Sequence, residues 1–527
     1  VFLPYPSFDI SSVSEDNELI SGLEDNKMIS QLYSKEERYA VGHGCAALWE
    51  RNNDTKKVET IIGTFVPVYR LPKVNPDIKK ENSGGKKLEM PDMRELMDQK
   101  NWALGLEKID SIISFYEKWI DKQRGESNGS SEQIKIIENC DLSLSRIKEG
   151  RKLLDEDASV KEVFMFMNQA MLLQQLRGLT EKRFATPHPE DSNKAIFLNP
   201  FQAKHNRGKW RAFQICFILS NLKSLIDGED KNRDVVDLIW FPTGGGKTEA
   251  YLGLAAFLIL WEKYKKDANE EIGTVILMRY TLRLLTAQQF QRASTLICAL
   301  ENIRKNNESI FGQKRISIGI FVGKDASPNT ASDISQAWAN LKIKWKPNRF
   351  VITQCPWCGS EMGRSKETVR KTSDNKYGIW KFDLGYRKEG KDPTPIFNCL
   401  DSSCEFHRKK EPNGLPIYID DQSVIAKTPT MIIATVDKFA VIPWKRNFEK
   451  IFGFEGNNRI YKQPSLIIQD ELHLISQALG SIAGLWEGLI DYFCTNESKI
   501  RPKIICSTAT IKEYKEQILN LFGREKS

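Results

Sequence analysis

Residues 241–248 read Phe-Pro-Thr-Gly-Gly-Gly-Lys-Thr, directly after an apolar run that begins at Val235. The apolar run is typical of a buried parallel strand, and residues 249–261 carry the pattern of the helix that follows. Glycines between a strand and a helix allow backbone N–H groups to bind phosphate oxygens, and the positive end of the helix dipole adds to that attraction. The stretch therefore predicts a phosphate-binding loop in an α/β fold.

Two residues of this loop have expected chemical roles. Lys247 would contact the β- and γ-phosphates of a nucleotide, and the Thr248 hydroxyl would bind Mg²⁺. Phe241 stands where the usual pattern has a glycine, so only the Gly-Lys-Thr end matches in full. A glycine-rich turn without catalytic function is the alternative interpretation. The predicted nucleotide-binding residues are Thr243, Gly244, Gly245, Gly246, Lys247, Thr248 and Glu249.

An acidic pair follows a second predicted strand, residues 465–469. Open α/β sheets bind their ligands at the carboxyl ends of the strands, where Asp470 and Glu471 stand. Asp470 would hold Mg²⁺, and Glu471 would orient and deprotonate the attacking water. Such a pair can also be an ordinary solvated loop, but the upstream phosphate loop favours catalysis. With Lys247 and His473 they are the predicted catalytic residues, and ATP and Mg²⁺ are the predicted cofactors.

Four motifs occur in the order that superfamily 2 helicases have, and the chain resembles that family. They are Gly-Lys-Thr-Glu at 246–249, Arg-Tyr-Thr-Leu-Arg at 279–283, Asp-Glu-Leu-His at 470–473 and Ser-Thr-Ala-Thr at 507–510. The resemblance implies a RecA-like lobe that hydrolyses ATP and moves on nucleic acid. It also implies that the last motif couples the nucleotide site to the nucleic-acid track, with His473 as its partner; a plain loop histidine is the alternative. The coupling residues are Ser507, Thr508, Ala509 and Thr510.

Longer stretches resemble, more narrowly, the helicase subunits of the bacterial DISARM phage-defence system. They lie at residues 240–254, 279–289, 434–440 and 469–476, while residues 38–49 and 64–72 resemble the amino-terminal part of those subunits. By this resemblance the protein would act on DNA in the bacterial cytoplasm, together with a helicase-like partner subunit. The choice of DNA rests on the resemblance alone.

The same family resemblance implies contacts to the nucleic-acid backbone. Arg279, Thr281 and Arg283 follow a strand predicted at 274–278, and the guanidinium group suits phosphate geometry. Thr435 and Lys438 are placed similarly near a later strand. Arginines on helix surfaces are also common without any such function.

A glutamine upstream of the phosphate loop resembles the adenine-reading element of these motors. The segment is Trp-Arg-Ala-Phe-Gln at 210–214. A glutamine amide can pair with both the N6 donor and the N7 acceptor of adenine, which would favour ATP. Gln214 is the preferred residue because it begins a helical pattern, and Gln202 is the competing one.

Four cysteines predict a structural zinc site. Cys355 and Cys358 form one close pair, and Cys399 and Cys404 form another. Two such pairs can complete a closed tetrahedral set of thiolates. Two disulfides or free thiols are the alternatives, and both fit poorly with a cytoplasmic motor. His407 is a possible substitute ligand, with a bystander role favoured.

This cysteine-rich segment, residues 340–412, is predicted to be a zinc-ribbon-like insertion into the motor lobe. It carries sixteen Lys or Arg residues against nine Asp or Glu residues. The basic charge and the interleaved aromatic residues would suit phosphate contacts and base stacking. A solvated basic surface, with the aromatics packing a small core, is the alternative. The aromatics are Trp345, Trp357, Tyr377, Trp380 and Tyr386.

The remaining organisation follows from these assignments. Residues 1–190 are predicted to form an α+β accessory domain, ending near Pro187-His188-Pro189, and residues 191–339 with 413–527 form the first RecA-like lobe. A net charge of +8 permits nucleic-acid binding without arguing for it, and no apolar run approaches a membrane span. With no signal-peptide pattern, we expect a cytoplasmic protein.

Two functions remain open from the sequence. The first is an ATP-dependent DNA translocase or helicase lobe, whose second RecA-like lobe with arginine fingers has no place in the seventeen residues after Thr510. Alone, such a chain would bind ATP and hydrolyse it weakly. The second is a DNA-binding scaffold or loader in which nucleotide switches affinity without processive movement.

Overall fold

The computed structural model describes the greater part of the chain. The residues described are 39–40, 45–52, 57–64, 88–178, 207–240, 245–264, 272–281, 283–323, 326–341, 343, 346–363, 368–371, 377–380, 385–388, 390, 393–444, 446–508 and 514–524. The chain forms two compact units, Val1–Leu88 with Ile113–Ser145 and Thr510–Gln517, and Glu89–Ile112 with Arg146–Ala509 and Ile518–Ser527.

A seven-stranded parallel sheet forms the centre of the larger unit. The strands of the described residues are β1 (Ala46–Arg51), β2 (Val58–Thr64), β3 (Asp237–Trp240), β4 (Ile276–Tyr280), β5 (Ile318–Phe321), β6 (Thr368–Lys371), β7 (Tyr377–Trp380), β8 (Tyr386–Arg387), β9 (Ile396–Phe397), β10 (Ile417–Tyr418), β11 (Met431–Thr435), β12 (Phe454–Glu455), β13 (Asn458–Arg459), β14 (Leu466–Gln469) and β15 (Lys503–Thr508). The order in the sheet is β10-β5-β11-β4-β14-β15-β3, with every neighbouring pair parallel.

Helices connect and cover these strands. They are α1 (Met93–Leu96), α2 (Trp102–Glu126), α3 (Ser131–Glu156), α4 (Ala158–Arg177), α5 (Ala212–Ile226), α6 (Lys247–Tyr264), α7 (Arg283–Asn306), α8 (Glu308–Phe311), α9 (Ala331–Leu341), α10 (Asp421–Lys427), α11 (Gln477–Cys494) and α12 (Tyr514–Phe522). The part of the chain that the structure describes also contains 3₁₀ helices at Val436–Trp444, Arg446–Phe452 and Leu472–Leu474.

The central strands are buried along their whole length. Every residue of β4, β5, β11, β14 and β15 is buried. A parallel sheet covered on both faces selects such continuous apolar runs, because neither side of the strand meets water. The predicted α/β fold with a RecA-like, phosphate-loop lobe is confirmed by this sheet and by the strand-to-helix step from β3 to α6.

Helix α6 is the packing centre of one helical layer. Helices α4 and α5 both pack against it. Gly253 permits the close approach, because a Cβ atom there would lie 2.8 Å from Ile218 Cδ1. Trp210, fully buried, donates from Nε1 to Asn168 Oδ1 of α4 at 2.7 Å. Helix α4 therefore belongs to the same unit as the sheet, whereas the sequence analysis assigned its residues to the accessory domain.

Smaller elements form the predicted insertion and the other unit. Strands β6 and β7 pair antiparallel, as do β8 and β9, between the parallel strands β5 and β10. In the smaller unit β1 and β2 form an antiparallel pair. The predicted boundary at residues 187–189 lies outside the described residues, and the three-domain division stays a prediction.

Candidate functional site

Three strands bring predicted motifs to one edge of the sheet. Strands β14, β15 and β3 are neighbours, and their carboxyl ends carry the acidic pair, Thr508 and the phosphate loop respectively. A cavity of about 560 Å³ opens there. It is lined by Gln175, Arg207, Gly208, Lys209, Arg211, Gln214, Gly246, Lys247, Thr248, Glu249, Tyr280, Gln289, Arg292, Asp470 and Glu471. The first and third predicted motifs therefore meet at one cavity.

The phosphate loop is held by hydrogen bonds from the start of α5 and from the residue that precedes it. Gln214 donates from Nε2 to the Gly246 carbonyl at 2.8 Å, and the Arg211 guanidinium donates to the Gly245 carbonyl. Gly246 has a φ of 91°, a conformation that favours glycine, and a Cβ atom there would lie 2.8 Å from Gln214 Nε2. Thr243 and Gly244, also predicted here, lie outside the described residues.

Lys247 connects this loop to strand β15. Its side chain is only 7% exposed, and Nζ donates to the Thr508 carbonyl at 3.1 Å. The lysine begins α6, so the helix N-terminus and the ammonium group face the same cavity. That combination is suited to the terminal phosphates of a nucleotide.

A buried tyrosine joins the two predicted magnesium ligands. Tyr251 donates to Asp470 Oδ2 at 2.7 Å and lies 3.1 Å from Thr248 Oγ1. Burial raises the pKa of Tyr251 well above its usual value, so the phenol stays a hydrogen-bond donor. Thr248 and Asp470 thus lie within reach of one hydroxyl, and their oxygen donors fit the ligand chemistry of Mg²⁺.

The acidic motif also contacts the motif at the end of β15. Glu471 has a left-handed backbone with φ 49°, and its N–H donates to Asp470 Oδ1 at 2.9 Å. His473 Nδ1 lies 3.2 Å from Thr508 Oγ1 and 3.5 Å from Glu471 Oε2. These contacts bring His473 against Thr508, and the coupling role stays a prediction. Ser507 is buried in β15, and Ala509 and Thr510 lie outside the described residues.

Some lining residues were missed by the sequence analysis. The cavity has five basic side chains and three acidic ones, an excess of positive charge that suits a polyphosphate. Arg292 of α7 pairs with Glu249 at the start of α6, and Arg207 and Lys209 add further charge. Tyr251, which contacts Thr248 and Asp470 without lining the cavity, was also missed; it had a signal, since it stands three residues after Thr248 on the same helix. Arg292 had none, because its position depends on how α7 packs.

Gln214 does not present its amide to a base in this structure. Its Oε1 accepts from the Arg211 N–H at 2.9 Å, and its Nε2 donates to the loop. Both amide atoms therefore contact the backbone, while Gln214 also lines the cavity, and its adenine-reading role stays a prediction. The competing Gln202 lies outside the described residues.

Three of the predicted nucleic-acid contacts are buried. Arg279 is 0% exposed and pairs with Glu487 of α11. Thr435 is likewise 0% exposed, and Lys438, 7% exposed, pairs with Asp421 at 3.0 Å. Arg279 and Lys438 hold elements together through these ion pairs, and the nucleic-acid contacts of all three residues stay a prediction. Thr281 is half-buried, and the Arg283 side chain lies outside the described part.

The four predicted zinc ligands form one buried cluster. The sulfurs of Cys355, Cys358, Cys399 and Cys404 all lie within 4.8 Å of one another. Cys358 and Cys399 are 3.2 Å apart, and Cys355 and Cys404 are 4.0 Å apart. A tetrahedral zinc ion with Zn–S bonds of about 2.3 Å places its sulfurs roughly 3.8 Å apart, so the cluster fits the ion. All four cysteines are free thiols in the structure.

Residues around this cluster have structural roles. His407 Nδ1 accepts from the Lys409 N–H at 3.3 Å, and His407 is not among the four clustered ligands. Trp357 and Tyr386 are 3% and 5% exposed, so these two aromatics pack the module's core and do not offer a stacking surface. The side chains of Trp345, Tyr377 and Trp380 lie outside the described residues.

Comparisons with known proteins identify a relative. No protein-family model matches the chain. Two structures of the DUF1998 helicase MrfA, one bound to DNA, match at a TM-score of 0.29 each, with 15% and 13% identity. They cover 56% and 62% of this chain and 27% and 28% of their own chains, values too low to align the sites.

A far stronger match comes from sequence. The DISARM protein DrmA of Bacillus paralicheniformis is 32% identical over 545 residues, which cover 94% of this chain and 45% of DrmA. The chain thus spans less than half the length of this relative. The identity extends over nearly the whole chain and therefore identifies it as a relative of the DISARM protein DrmA.

Proposed function

We propose that this chain is the ATP-binding lobe of a DNA translocase or helicase in a bacterial anti-phage defence complex. The observation that carries the proposal is the convergence of Lys247, Thr248, Asp470 and Glu471 on one positively charged cavity. The similarity to DrmA supports the defence role, and it is the ground for DNA as the substrate.

The residues of the cavity have separate roles in this proposal. Lys247 and the N-terminus of α6 bind the terminal phosphates, while Thr248 and Asp470 hold Mg²⁺. The ion supplies charge neutralisation at the phosphate oxygens. Glu471 orients the attacking water and accepts its proton. Through its contact with Thr508, His473 reports the state of the nucleotide to strand β15.

The proposal includes components beyond this chain. A second RecA-like lobe, in the same polypeptide or in another, supplies arginine fingers, which are worth about 10³ to 10⁵ in turnover in related nucleotide hydrolases. A helicase-like subunit is the expected partner, in the bacterial cytoplasm. Within the part of the chain that the structure describes, no helix is both long and apolar enough to cross a membrane.

ATP turnover and ATP binding together test this function. We expect this chain to bind ATP with Mg²⁺ and to hydrolyse it slowly, and to gain DNA-stimulated turnover when joined to its second lobe. Glu471→Gln should abolish turnover and leave ATP binding, whereas Glu497→Gln, on an exposed loop, should change neither. Unchanged turnover in Glu471→Gln would contradict the assignment.

An assay of movement on DNA distinguishes the motor function from the scaffold function. A motor should displace a labelled strand or a bound protein from DNA only with hydrolysable ATP. Tight DNA binding that is indifferent to ATP, with no turnover in the joined form, would favour the scaffold or loader instead.

Zinc is the second proposed cofactor. The four buried thiols bind one Zn²⁺ and hold the insertion folded. Metal analysis of the purified chain should give one zinc per polypeptide, and a chain with Cys355→Ser and Cys399→Ser should lose it.

A further inference from the structure

An arginine from the helical layer lies against the proposed zinc centre. Arg177 is the last residue of α4, and its guanidinium carbon lies 4.3 Å from the centre of the Trp357 ring. Trp357 stands between Cys355 and Cys358 in the first cysteine pair, and it is 3% exposed. A guanidinium at this distance from an indole face makes a cation–π contact. The contact therefore joins α4 directly to the metal-binding loop.

The zinc centre needs compensating positive charge. Four thiolates and one Zn²⁺ carry a formal net charge of about −2, in a site where all four cysteines are buried. Backbone N–H groups donate to sulfur at 3.4 Å, among them Asp401 to Cys399 and Phe406 to Cys404. These donors stabilise two of the thiolates. They do not supply a full positive charge.

Arg177 is placed to compensate this charge. Its guanidinium lies over the ring of the residue between Cys355 and Cys358, and Arg177 lines one cavity together with Cys355. An arginine side chain stays protonated in proteins, and its planar group can stack on an aromatic ring while facing anions. Outer-sphere partners of this kind tune how tightly a metal site holds its ion.

We propose that Arg177 is the outer-sphere cation of the zinc centre and anchors the zinc insertion to α4. This inference rests on the proposed zinc site and is independent of ATP hydrolysis. It assigns a function to a residue that none of the predicted motifs contains.

The anchor lies beside the nucleotide cavity. Gln175, two residues before Arg177, lines that cavity. A second cavity of about 480 Å³ is lined by both residues, by Cys355 and Pro356, and by the ion-paired Glu249 and Arg292. The last turn of α4 is thus a wall shared by the zinc-binding loop and the nucleotide site. Loss of the anchor should loosen both.

The rate of zinc release tests the proposal without any nucleotide. The chain is loaded with one Zn²⁺, and its transfer to the chromogenic chelator 4-(2-pyridylazo)resorcinol is followed in time. We expect Arg177→Gln to release zinc about 10 to 100 times faster than wild type. Arg177→Lys keeps the charge and should fall between the two. Lys161→Gln is the matched control, since it removes another cation–π contact of α4, 5.2 Å from the Trp102 ring, and should release zinc like wild type.

Several results would overturn the proposal. Equal release from Arg177→Gln and wild type would show that the charge is not used, and equal acceleration by Lys161→Gln would show a general effect on α4. Co²⁺ substitution supplies a second readout. Arg177→Gln should leave the thiolate-to-cobalt absorption nearly unchanged. If it changed that absorption as much as Cys355→Ser does, Arg177 would determine which ligands bind the metal and would not merely compensate the charge of the zinc centre. A wild-type chain that takes up no zinc would instead defeat the zinc site itself, which is a distinguishable outcome.

Discussion

At the scale of single residues, Gly246 is the position where the nucleotide site tolerates least change. Its φ of 91° is costly for other residues, and an added Cβ atom would press on Gln214 Nε2 and Arg211 Nη1 at 2.8 and 3.0 Å. We expect Gly246→Ala to weaken binding of a fluorescent ATP analogue by roughly tenfold or more, because the Gln214 and Arg211 side chains that hold the loop must both shift.

Gly488→Ala is the matched control for that change. Gly488 lies within α11, where an added Cβ atom meets no atom within 4 Å. The substitution should raise the free energy of unfolding by roughly 0.5 to 1 kcal/mol and leave nucleotide binding unchanged. Normal ATP-analogue affinity in Gly246→Ala would mean that the loop does not bind phosphate in the way described.

Lys503 is a second residue whose loss should be severe. It is 0% exposed, donates to the Asn232 and Val235 carbonyls at 2.7 Å each, and pairs with Asp237 at 2.6 Å. Lys503→Met leaves two carbonyls without this donor and Asp237 with Arg146 as its remaining partner. Urea unfolding should show a loss of about 3 kcal/mol. The control is Lys152, whose side chain is 70% exposed and pairs with Glu156. Lys152→Met should lower the free energy of unfolding by under about 1 kcal/mol. Similar losses in both variants would contradict this account.

The same lysine predicts a dependence on pH. Burial lowers the pKa of Lys503 from 10.5 to about 8. Between these values the unfolded chain keeps a proton that the folded protein releases, so stability increases with pH there. Wild type should gain stability relative to Lys503→Met as the pH rises from 8 to 10. A constant difference in urea midpoints across that range would show that Lys503 does not titrate in the folded state.

Residue identities predicted the chemistry of the site better than they predicted orientation. Lys247, Thr248, Asp470 and Glu471 were recognisable because phosphate and Mg²⁺ chemistry demands those side chains in that order. Arg279 could not be placed from sequence, since its burial depends on Glu487, which is 208 residues away. Direction of a side chain depends on distant packing, and a motif does not contain that information.

At the scale of elements, short apolar runs located the strands of the sheet to within two residues. The run at 235–241 became β3 at Asp237–Trp240, and the run at 465–469 became β14 at Leu466–Gln469. The place of helix α4 in the fold was not predicted, since its residues were assigned to the accessory domain. Thirteen of its twenty residues are apolar or small and are spread around the helix, which is the pattern of a helix packed on several sides.

Removing the metal should unfold one element and spare another. Among its described residues the zinc insertion has one two-residue and one four-residue strand pair, so we expect its metal and small aromatic core to hold it folded. With a strong chelator, hydrogen exchange should accelerate across residues 350–412 and stay slow in β4 and β14. Uniform protection before and after chelation would show that the insertion folds without metal.

Helix α11 offers a matched test of packing on one element. Ile490 is 1% exposed, whereas Leu485 on the other side of the helix is 76% exposed. We expect Ile490→Ala to lower the free energy of unfolding by about 2 to 4 kcal/mol and Leu485→Ala by under about 0.5 kcal/mol. Thermal and urea unfolding would measure both, and a larger loss at Leu485 would contradict the described packing.

At the scale of the whole molecule, the sheet joins strands that are far apart in sequence. β3 pairs with β15, which begins 263 residues after β3 ends, and the zinc insertion lies between β5 and β10. Buried apolar runs predicted parallel strands, but they did not predict this order. Strand order is decided by which pairs bury the most surface together, and local sequence does not contain that comparison.

This order predicts what a carboxyl-terminal truncation does. A chain that ends at residue 499 lacks β15, so β3 loses its neighbour in the sheet, and Lys247 loses the Thr508 carbonyl. The phosphate loop would then follow an unpaired strand, and we expect this chain to lose ATP-analogue binding and to aggregate through its exposed strand edges. A chain that ends at Arg524 keeps every described element and should bind like the full chain. If the shorter chain also bound normally, the phosphate loop would not depend on the distant strand, and the sheet order described for β3 would be wrong.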